Sequence, residues 1–329
     1  MSRSTDPGAA SGALAYRTVR PDELERCADI WRDSINDYIG RLGQIEIGSE
    51  TGPLIRLYGH LSGTDPDRFV VATRKEPETG EERILAFAAA LVRERLWFLS
   101  MLFVAPDVQA AGIGRGLLAE VMPRDAIDDA VMATATDSAQ PISNALYASF
   151  GIVPRMPLFN LVGLPERPDA FDPLPSGVTP VPFETIAAGG TAPGSGHAAL
   201  AETVDTLDRD VLGVAHPADH RYLRQESRRG WLYRGPDGAP LGYGYATEAG
   251  RVGPVAVRDP ALITPILGHL MSVVQPRGAF ALWLPGAAGR AVTAALRAGF
   301  RLDQFPVLVC WDRPFADFSR YLPISPGLL

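Results

Sequence analysis

Apolar positions change their spacing several times along the first half of the chain, and each change marks an element. In "YRTVRPDELERCADIWRDSINDYI" a short extended run precedes Leu24, Cys27, Ala28, Trp31 and Ile35, which recur at helical spacing, with Pro21 at the first turn. A second helical stretch covers about Pro53 to Leu61. Three strand-like runs follow, "RFVVATR", "RILAFAAALV" and "LWFLSMLFV", joined by the polar turns "KEPETGEE" and "RER", so an antiparallel meander is expected. Beyond Val104 the chain crosses a glycine-rich turn and enters a helix that Pro123 should end. "AVMATAT" predicts a strand, "PISNALYASF" a helix and "PLFNLVG" a closing strand.

Leu164 to Gly177 carries four prolines and predicts a linker. In the second half, "AAGGTAPGSGHAA" is expected to be a flexible loop. Strands are predicted at "GWLYRG", "APLGYGYATE", "RVGPVAV", "FALWL" and "FPVLVCW", and helices at "LITPILGHLMSVV" and "AGRAVTAALRAG". The halves read as a worn repeat. Matching Gly151 to Gly299 sets an offset of 148 residues, and the order of elements recurs. The expected organisation is a disordered tail over 1–15, one α/β domain over 16–163, a linker over 164–177 and a second domain over 178–329.

Composition changes this picture little. The chain has 329 residues, 46% hydrophobic and 21% charged, with a formal net charge of −7. That balance suits a soluble globular protein and argues against general affinity for nucleic acid or an anionic membrane. The most apolar region is interrupted by Arg93, Glu94 and Arg95, so no membrane span is expected. The start has no signal-peptide core, and Cys27 and Cys310 form no metal or redox motif. A cytoplasmic location with reduced thiols follows as an expectation.

The glycine turn carries the chemistry. "LFVAPDVQAAGIGRGLLAEVM" places Gly112 and Gly114 where a strand becomes a helix. Backbone N–H groups at such a helix start, with the positive end of the dipole, stabilise a polyphosphate. A Rossmann fingerprint wants a third glycine at Leu117, and a Walker A loop wants Gly-Lys-Ser/Thr where Gly114-Arg115-Gly116 stands; neither fits. "QAAGIG", Gln109 to Gly114, does fit another pattern. It resembles motif A of the GNAT superfamily of acyl-CoA-dependent N-acyltransferases, Gln/Arg-x-x-Gly-x-Gly/Ala. "QPISNALYASFGI" is similar to that family's motif B, Asn-x-x-Ala-x-x-Leu-Tyr before Gly-Phe. Gln140 takes the asparagine place, Ser143 the alanine place, Leu146 and Tyr147 keep Leu-Tyr, and Gly151-Ile152 replaces Gly-Phe.

The resemblance implies an α/β (mixed α+β) fold: two tandem GNAT-like domains, each a mixed, mostly antiparallel central sheet flanked by helices. It implies acetyl-CoA as cosubstrate, without a metal. The strand through Leu102, Phe103 and Val104 would hold the pantetheine and thioester. Gln109, Ala110, Ala111, Gly112, Ile113, Gly114 and Arg115 would cradle the pyrophosphate, with Gln140 and Ser143 completing the cofactor contacts. Tyr147 would be the general acid, since a phenol and the CoA thiol have comparable reference acidities. Many relatives carry a glutamate base where Ser100 stands here. Glu94, Asp33 and Asp37 are alternative bases, and a water chain another. The acceptor implied is an amine, on a small molecule or a peptide, and the oligomeric state is left between monomer and homodimer.

Other residues add less. His216 and His220 in "HPADH" lack the metalloprotease glutamate and an evident third ligand, so a surface or loop role is expected. "RYLRQESRR", Arg221 to Arg229, reads as a solvated helix face. In the second half, Val257 reaches Met271 in 14 positions where Val104 takes 18 to reach Met122, and Ala295 and Ala288 stand at the places of Tyr147 and Gln140. Loop and acid are both missing there, so the second domain is expected to be degenerate. The expected activity is amine N-acetylation, with a non-catalytic acyl-CoA-binding regulator and an interaction scaffold as rivals.

Overall fold

The computed structural model describes residues 13–109, 112–123, 129–189 and 194–328. Most of the expected tail, together with Ala110, Ala111 and residues 190–193 of the expected flexible loop, lies outside the described residues. Internal contacts divide the chain into two compact units, Met1–Leu91 with Leu99–Ala126, and Val92–Phe98 with Ile127–Leu329. No helix among the described residues is long and apolar enough to cross a membrane.

The first unit runs β1 (Ala15–Thr18), α1 (Leu24–Arg41), α2 (Gly52–Thr64), β2 (Phe69–Lys75), β3 (Glu82–Arg93), β4 (Leu96–Val104) and α3 (Ile113–Val121), with the 92–98 hairpin tip counted in the second unit. Its strands lie in sequential order, β1 and β2 antiparallel, β2 and β3 antiparallel, as the polar turns between them predict. Every residue of β3 from Ile84 to Leu91 is buried, which explains its unbroken apolar run. Tyr58 of α2, Phe69 and Phe87 form one aromatic cluster, with ring centroids 5.4–5.8 Å apart. Phe103 extends it, stacking on Phe87 and meeting Trp31 of α1 edge-on.

Arg17 fastens β1 to its surroundings. Its guanidinium bonds Glu23 at 2.7 and 2.9 Å and Glu82 of β3 at 2.7 and 3.2 Å. Those bonds hold both carboxyls low, Glu82 at about 2.

The second unit continues with β5 (Val131–Asp137), α4 (Pro141–Ala148), β6 (Val153–Gly163), β7 (Thr179–Pro182), α5 (Phe183–Ala188), α6 (Ser195–Val211), α7 (Pro217–Gln225), β8 (Arg229–Arg234), β9 (Pro240–Ala246), β10 (Arg251–Val257), α8 (Ile263–Val273), β11 (Phe280–Pro285), α9 (Gly289–Arg297), β12 (Arg301–Leu302), β13 (Val307–Trp311) and β14 (Tyr321–Leu322). The order across its sheet is β5-β13-β6-β11-β10-β9-β8-β7.

That order contains an exchange. At the 148-residue offset, β11 is the counterpart of β5 and β13 the counterpart of β6. The closing strand of each half pairs with the penultimate strand of the other: β13 lies antiparallel on β5, and β6 lies antiparallel on β11. The two closing strands also pair with each other, Val309 opposite Met156 and Val307 opposite Leu158. The helices preceding them repeat as well, α4 followed by a left-handed Gly151 (φ 83) and α9 by a left-handed Gly299 (φ 104). The proline-rich stretch 164–177 joins this unit's core through Phe171, which meets Phe300 edge-on at 6.4 Å.

One large element was absent from the sequence reading. α6 begins at Ser195, inside the stretch expected to be a loop, and runs for 17 residues. Leu200, Val204, Leu207 and Val211 form its buried stripe, a helical period that lies downstream of the glycine-rich segment.

Two outcomes are expected. A fragment of residues 1–177 lacks β13 and β11, the partners of β5 and β6, and should show no cooperative thermal transition by circular dichroism. In the full chain Arg17→Met should raise the acid-unfolding midpoint. The depressed Glu23 and Glu82 stabilise the fold above their unfolded pKa near ~4.3, and this contribution is lost as pH falls towards the folded value of Glu82, about 2.

Candidate active site

β4 changes character along its length. Residues Leu96 to Met101 are buried, whereas Leu102, Phe103 and Val104 are half-exposed. The chain then turns through Pro106–Val108 and reaches Gly112, which caps α3 in the left-handed region at φ 76. No side chain caps this helix, and its first described intrahelical bond runs from the Gly116 N–H to the Gly112 carbonyl at 3.2 Å. The N–H groups of Ile113 and Gly114 therefore have no acceptor within the helix. A Cβ placed on Gly112 would meet nothing within 4 Å among the described residues. Gln109 folds back and its Nε2 donates to the Val104 carbonyl at 3.3 Å, which also accepts from Ser34 Oγ at 2.9 Å. Arg115 is exposed at the same helix start. These features suit a polyphosphate: N–H groups without an intrahelical acceptor, the positive end of the dipole and a basic side chain lie at one helix start.

The corresponding place in the second half is closed. Val255, Ala256 and Val257 of β10, the counterparts of Leu102, Phe103 and Val104, are fully buried. β10 and β11 are parallel and pair only at Arg251–Ala281 and Val252–Leu282. Further along, β14 takes the edge of β10, Leu322 opposite Val255 and Tyr321 opposite Ala256, and the Val257 N–H donates to the Arg320 carbonyl at 3.0 Å. The short turn that leads into α8, Pro260–Leu262, is capped by the Asp259 carboxylate, which accepts from the Ala261 N–H at 2.9 Å, whereas α8 itself starts at Ile263 without a side-chain cap. Ala295 and Ala288, at the places of Tyr147 and Gln140, are buried methyls.

Tyr147 lies in the last turn of α4 and is 5% exposed. Burial, and then neighbouring Cys310 of β13, raise its pKa well above the usual tyrosine value, opposed by a hydrogen bond from Ser143. The phenol is thus protonated at neutral pH and can donate. Gln140 is the N-cap residue of α4, and its carbonyl accepts from Asn144 Nδ2 at 2.7 Å. Asn144 Nδ2 also donates to the Asp137 carbonyl at 3.0 Å, tying α4 to the end of β5. Asn144 makes this tie as short polar side chains near a helix start do, by bonding the carbonyl four residues back.

The candidate bases are dispersed. Ser100 is buried within β4. Glu94 sits in the hairpin turn before β4 with φ 49 and pairs with Arg209 of α6 at 2.8 Å. Asp33 pairs with Arg32 and Asp37 with Arg41 on α1. His216 and His220 are not surface groups: both are buried, and both face Asp208 of α6. The basic run is not one helix face. Arg221 and Arg224 are exposed on α7, but Arg228 follows the helix, donates to the Gly253 carbonyl and is lowered to about 10 by burial, and Arg229 stacks over Trp231.

Residues 35–152 match the sequence model of the acetyltransferase (GNAT) family. That segment is similar to the GNAT acetyltransferases. No curated protein matches the chain by sequence at a significant level. Among solved structures, a protein of Pyrococcus horikoshii provisionally assigned as an acetyltransferase is similar with TM-score 0.70 at 14% identity, covering 100% of both chains. A GCN5-related N-acetyltransferase of Sphaerobacter thermophilus reaches TM-score 0.58 at 18% identity, covering 93% of this chain and 98% of its own. A tandem GNAT protein from the clavulanic acid biosynthesis pathway reaches 0.51 at 16% identity, covering 92% and 99%. The fold is therefore GNAT-like in a tandem arrangement, a mixed and mostly antiparallel sheet flanked by helices. Acyl transfer is the general chemistry that the GNAT segment and this fold support.

Gly112→Ala should cost about 1–2 kcal/mol through the left-handed backbone alone, because the added methyl has room. Urea denaturation measures this, and an unchanged midpoint would refute the assigned strain.

Proposed function

We propose that the chain transfers an acetyl group from acetyl-CoA to an amine in a ternary complex. The observation that carries the reading is the glycine-capped start of α3 directly after the half-exposed end of β4, inside the GNAT-matched segment. The N–H donors of Ile113 and Gly114, with neighbouring Gln109 and Arg115, hold the pyrophosphate of CoA. Ala110 and Ala111 belong to the same proposed cradle. The backbone of Leu102, Phe103 and Val104 aligns the pantetheine, and Gln140 and Ser143 complete the contacts. Bound acetyl-CoA supplies an activated acyl thioester. Tyr147 holds the proton given to the departing sulfur, and Ser143 orients its hydroxyl. Ser100 and Glu94 are the proposed proton-relay positions on the acceptor side; neither is a free carboxylate, so water carries the amine proton onward. The acceptor is a small-molecule or peptide amine, met by a monomer or a homodimer in the cytoplasm.

The alternative of a non-catalytic acyl-CoA sensor rests on Ser100 standing where relatives carry a carboxylate. Thiol release from acetyl-CoA across a panel of polyamines, aminoglycosides, amino acids and peptides separates the two. Acceleration by an amine supports transfer; acetyl-CoA binding with no acceleration across the panel supports the sensor. Tyr147→Phe should lower turnover by about 10²-fold while acetyl-CoA affinity stays the same. Because its pKa is raised, Tyr147 stays protonated, so its ionisation should cause no alkaline loss of turnover below about pH 10. Unchanged turnover in the variant removes Tyr147 from the reaction.

A further inference from the structure

The second half, closed to an acyl donor, contains a buried polar cluster that acyl transfer does not use. Asp208, near the end of α6, is 0% exposed; His216, the N-cap of α7, and His220, in its first turn, are 2% and 3% exposed. Both imidazoles turn Nε2 towards the same carboxylate oxygen, Asp208 Oδ2, at 3.3 Å from His216 and 2.8 Å from His220. One ligand atom from each of the three residues lies within 4.8 Å of the others. Tetrahedral zinc with bonds of about 2.0–2.1 Å places its ligand atoms roughly 3.3–3.4 Å apart, so the His216 side of Asp208 already has that spacing, the His220 side must lengthen, and the third side must come to the same spacing from within its 4.8 Å bound.

The outward-facing atoms fit the same reading. His220 Nδ1 is 2.9 Å from the Tyr245 hydroxyl, and His216 Nδ1 is 3.6 Å from Asp219 Oδ2. Asp219 is held by Arg93 through bonds of 2.6 and 2.8 Å. Asp208 Oδ1, turned away from the imidazoles, accepts from the Tyr243 hydroxyl at 2.5 Å. Asp208 and His220 thus direct one donor atom inward and are held by a tyrosine hydroxyl on the other side, the outer-shell arrangement that fixes ligands, while Asp219 stands 3.6 Å behind His216. A second observation points to a missing ligand. Both nitrogens of the almost wholly buried His216 face carboxylates, at 3.3 Å and 3.6 Å, without hydrogen-bond geometry, and the Tyr321 hydroxyl, whose ring meets His216 edge-on with centroids 6.4 Å apart, has no partner.

We propose that Asp208, His216 and His220 bind a zinc ion as a structural centre clamping α6 to α7. Two neutral imidazoles and one carboxylate suit zinc, and the burial of all three suits a structural role. The fourth position falls to water or to Tyr321. The ion neutralises the buried Asp208 and satisfies His216, and it closes the short connection between the two helices. Its loading is independent of the acyl-transfer reading, because none of these residues belongs to the proposed donor site.

The test uses the full chain with any affinity tag removed. After chelator treatment and zinc addition, elemental analysis should find about one zinc per chain that survives gel filtration. The melting temperature should fall on stripping and recover with zinc, and cobalt should give the intense visible bands of a tetrahedral site. His216→Gln and Asp208→Asn should each abolish retention. If a variant does not fold, competition between the wild-type chain and a chromophoric chelator still reads affinity directly. Failure of the folded wild-type chain to take up zinc overturns the proposal, and so does stoichiometric zinc retained by both variants. In either case the cluster is a metal-free polar network.

Discussion

Everything in the larger unit depends on backbone hydrogen bonds exchanged between the two halves of the chain. β5 needs β13, which lies some 170 residues away, and β11 needs β6. A strand's N–H and C=O groups must be paired once it is buried, so neither repeat can complete its sheet from its own sequence. The same exchange brings Cys310 to Tyr147, so a residue of the second repeat sets the environment of the proposed acid of the first. The second half is in this sense a supplier of strands to the first.

The asymmetry of the halves comes from two small substitutions of backbone partner. At one helix start a left-handed glycine leads directly into α3; at the other a short turn capped by the Asp259 carboxylate leads into α8. Along one central strand the last three residues are half-exposed; along the other, Arg320 to Leu322 take the hydrogen-bonding edge. Sheet pairing constrains the strands of the second half, while its helix start has been free to change.

Much of this was legible in the sequence. β4 was predicted residue for residue, and the first-half helices to within a few positions, because periodic apolar runs bounded by Pro and Gly report local structure directly. "QAAGIG" marked the glycine turn because the left-handed conformation at Gly112 restricts the residue type. What was missed is non-local. Nothing in "FPVLVCW" says that it will insert between β5 and β6, since an apolar strand fits any apolar neighbour. Asp208 lies in an unpredicted helix, so the third member of the His216–His220 cluster could not be found by spacing. Whether Glu94 faces a substrate or Arg209 depends on α6, which the glycine-rich run before Ser195 concealed.

The exchange also sets a timetable. β5 leaves the ribosome long before β13 has been made, and through that interval its edge carries unsatisfied donors and acceptors beside apolar side chains. Such an edge can be taken by another chain, so a nascent molecule awaiting its closing strand is open to domain swapping or aggregation. Synthesis rate and chaperone cover over that interval, more than the final contacts, should govern how much of this protein reaches its folded state.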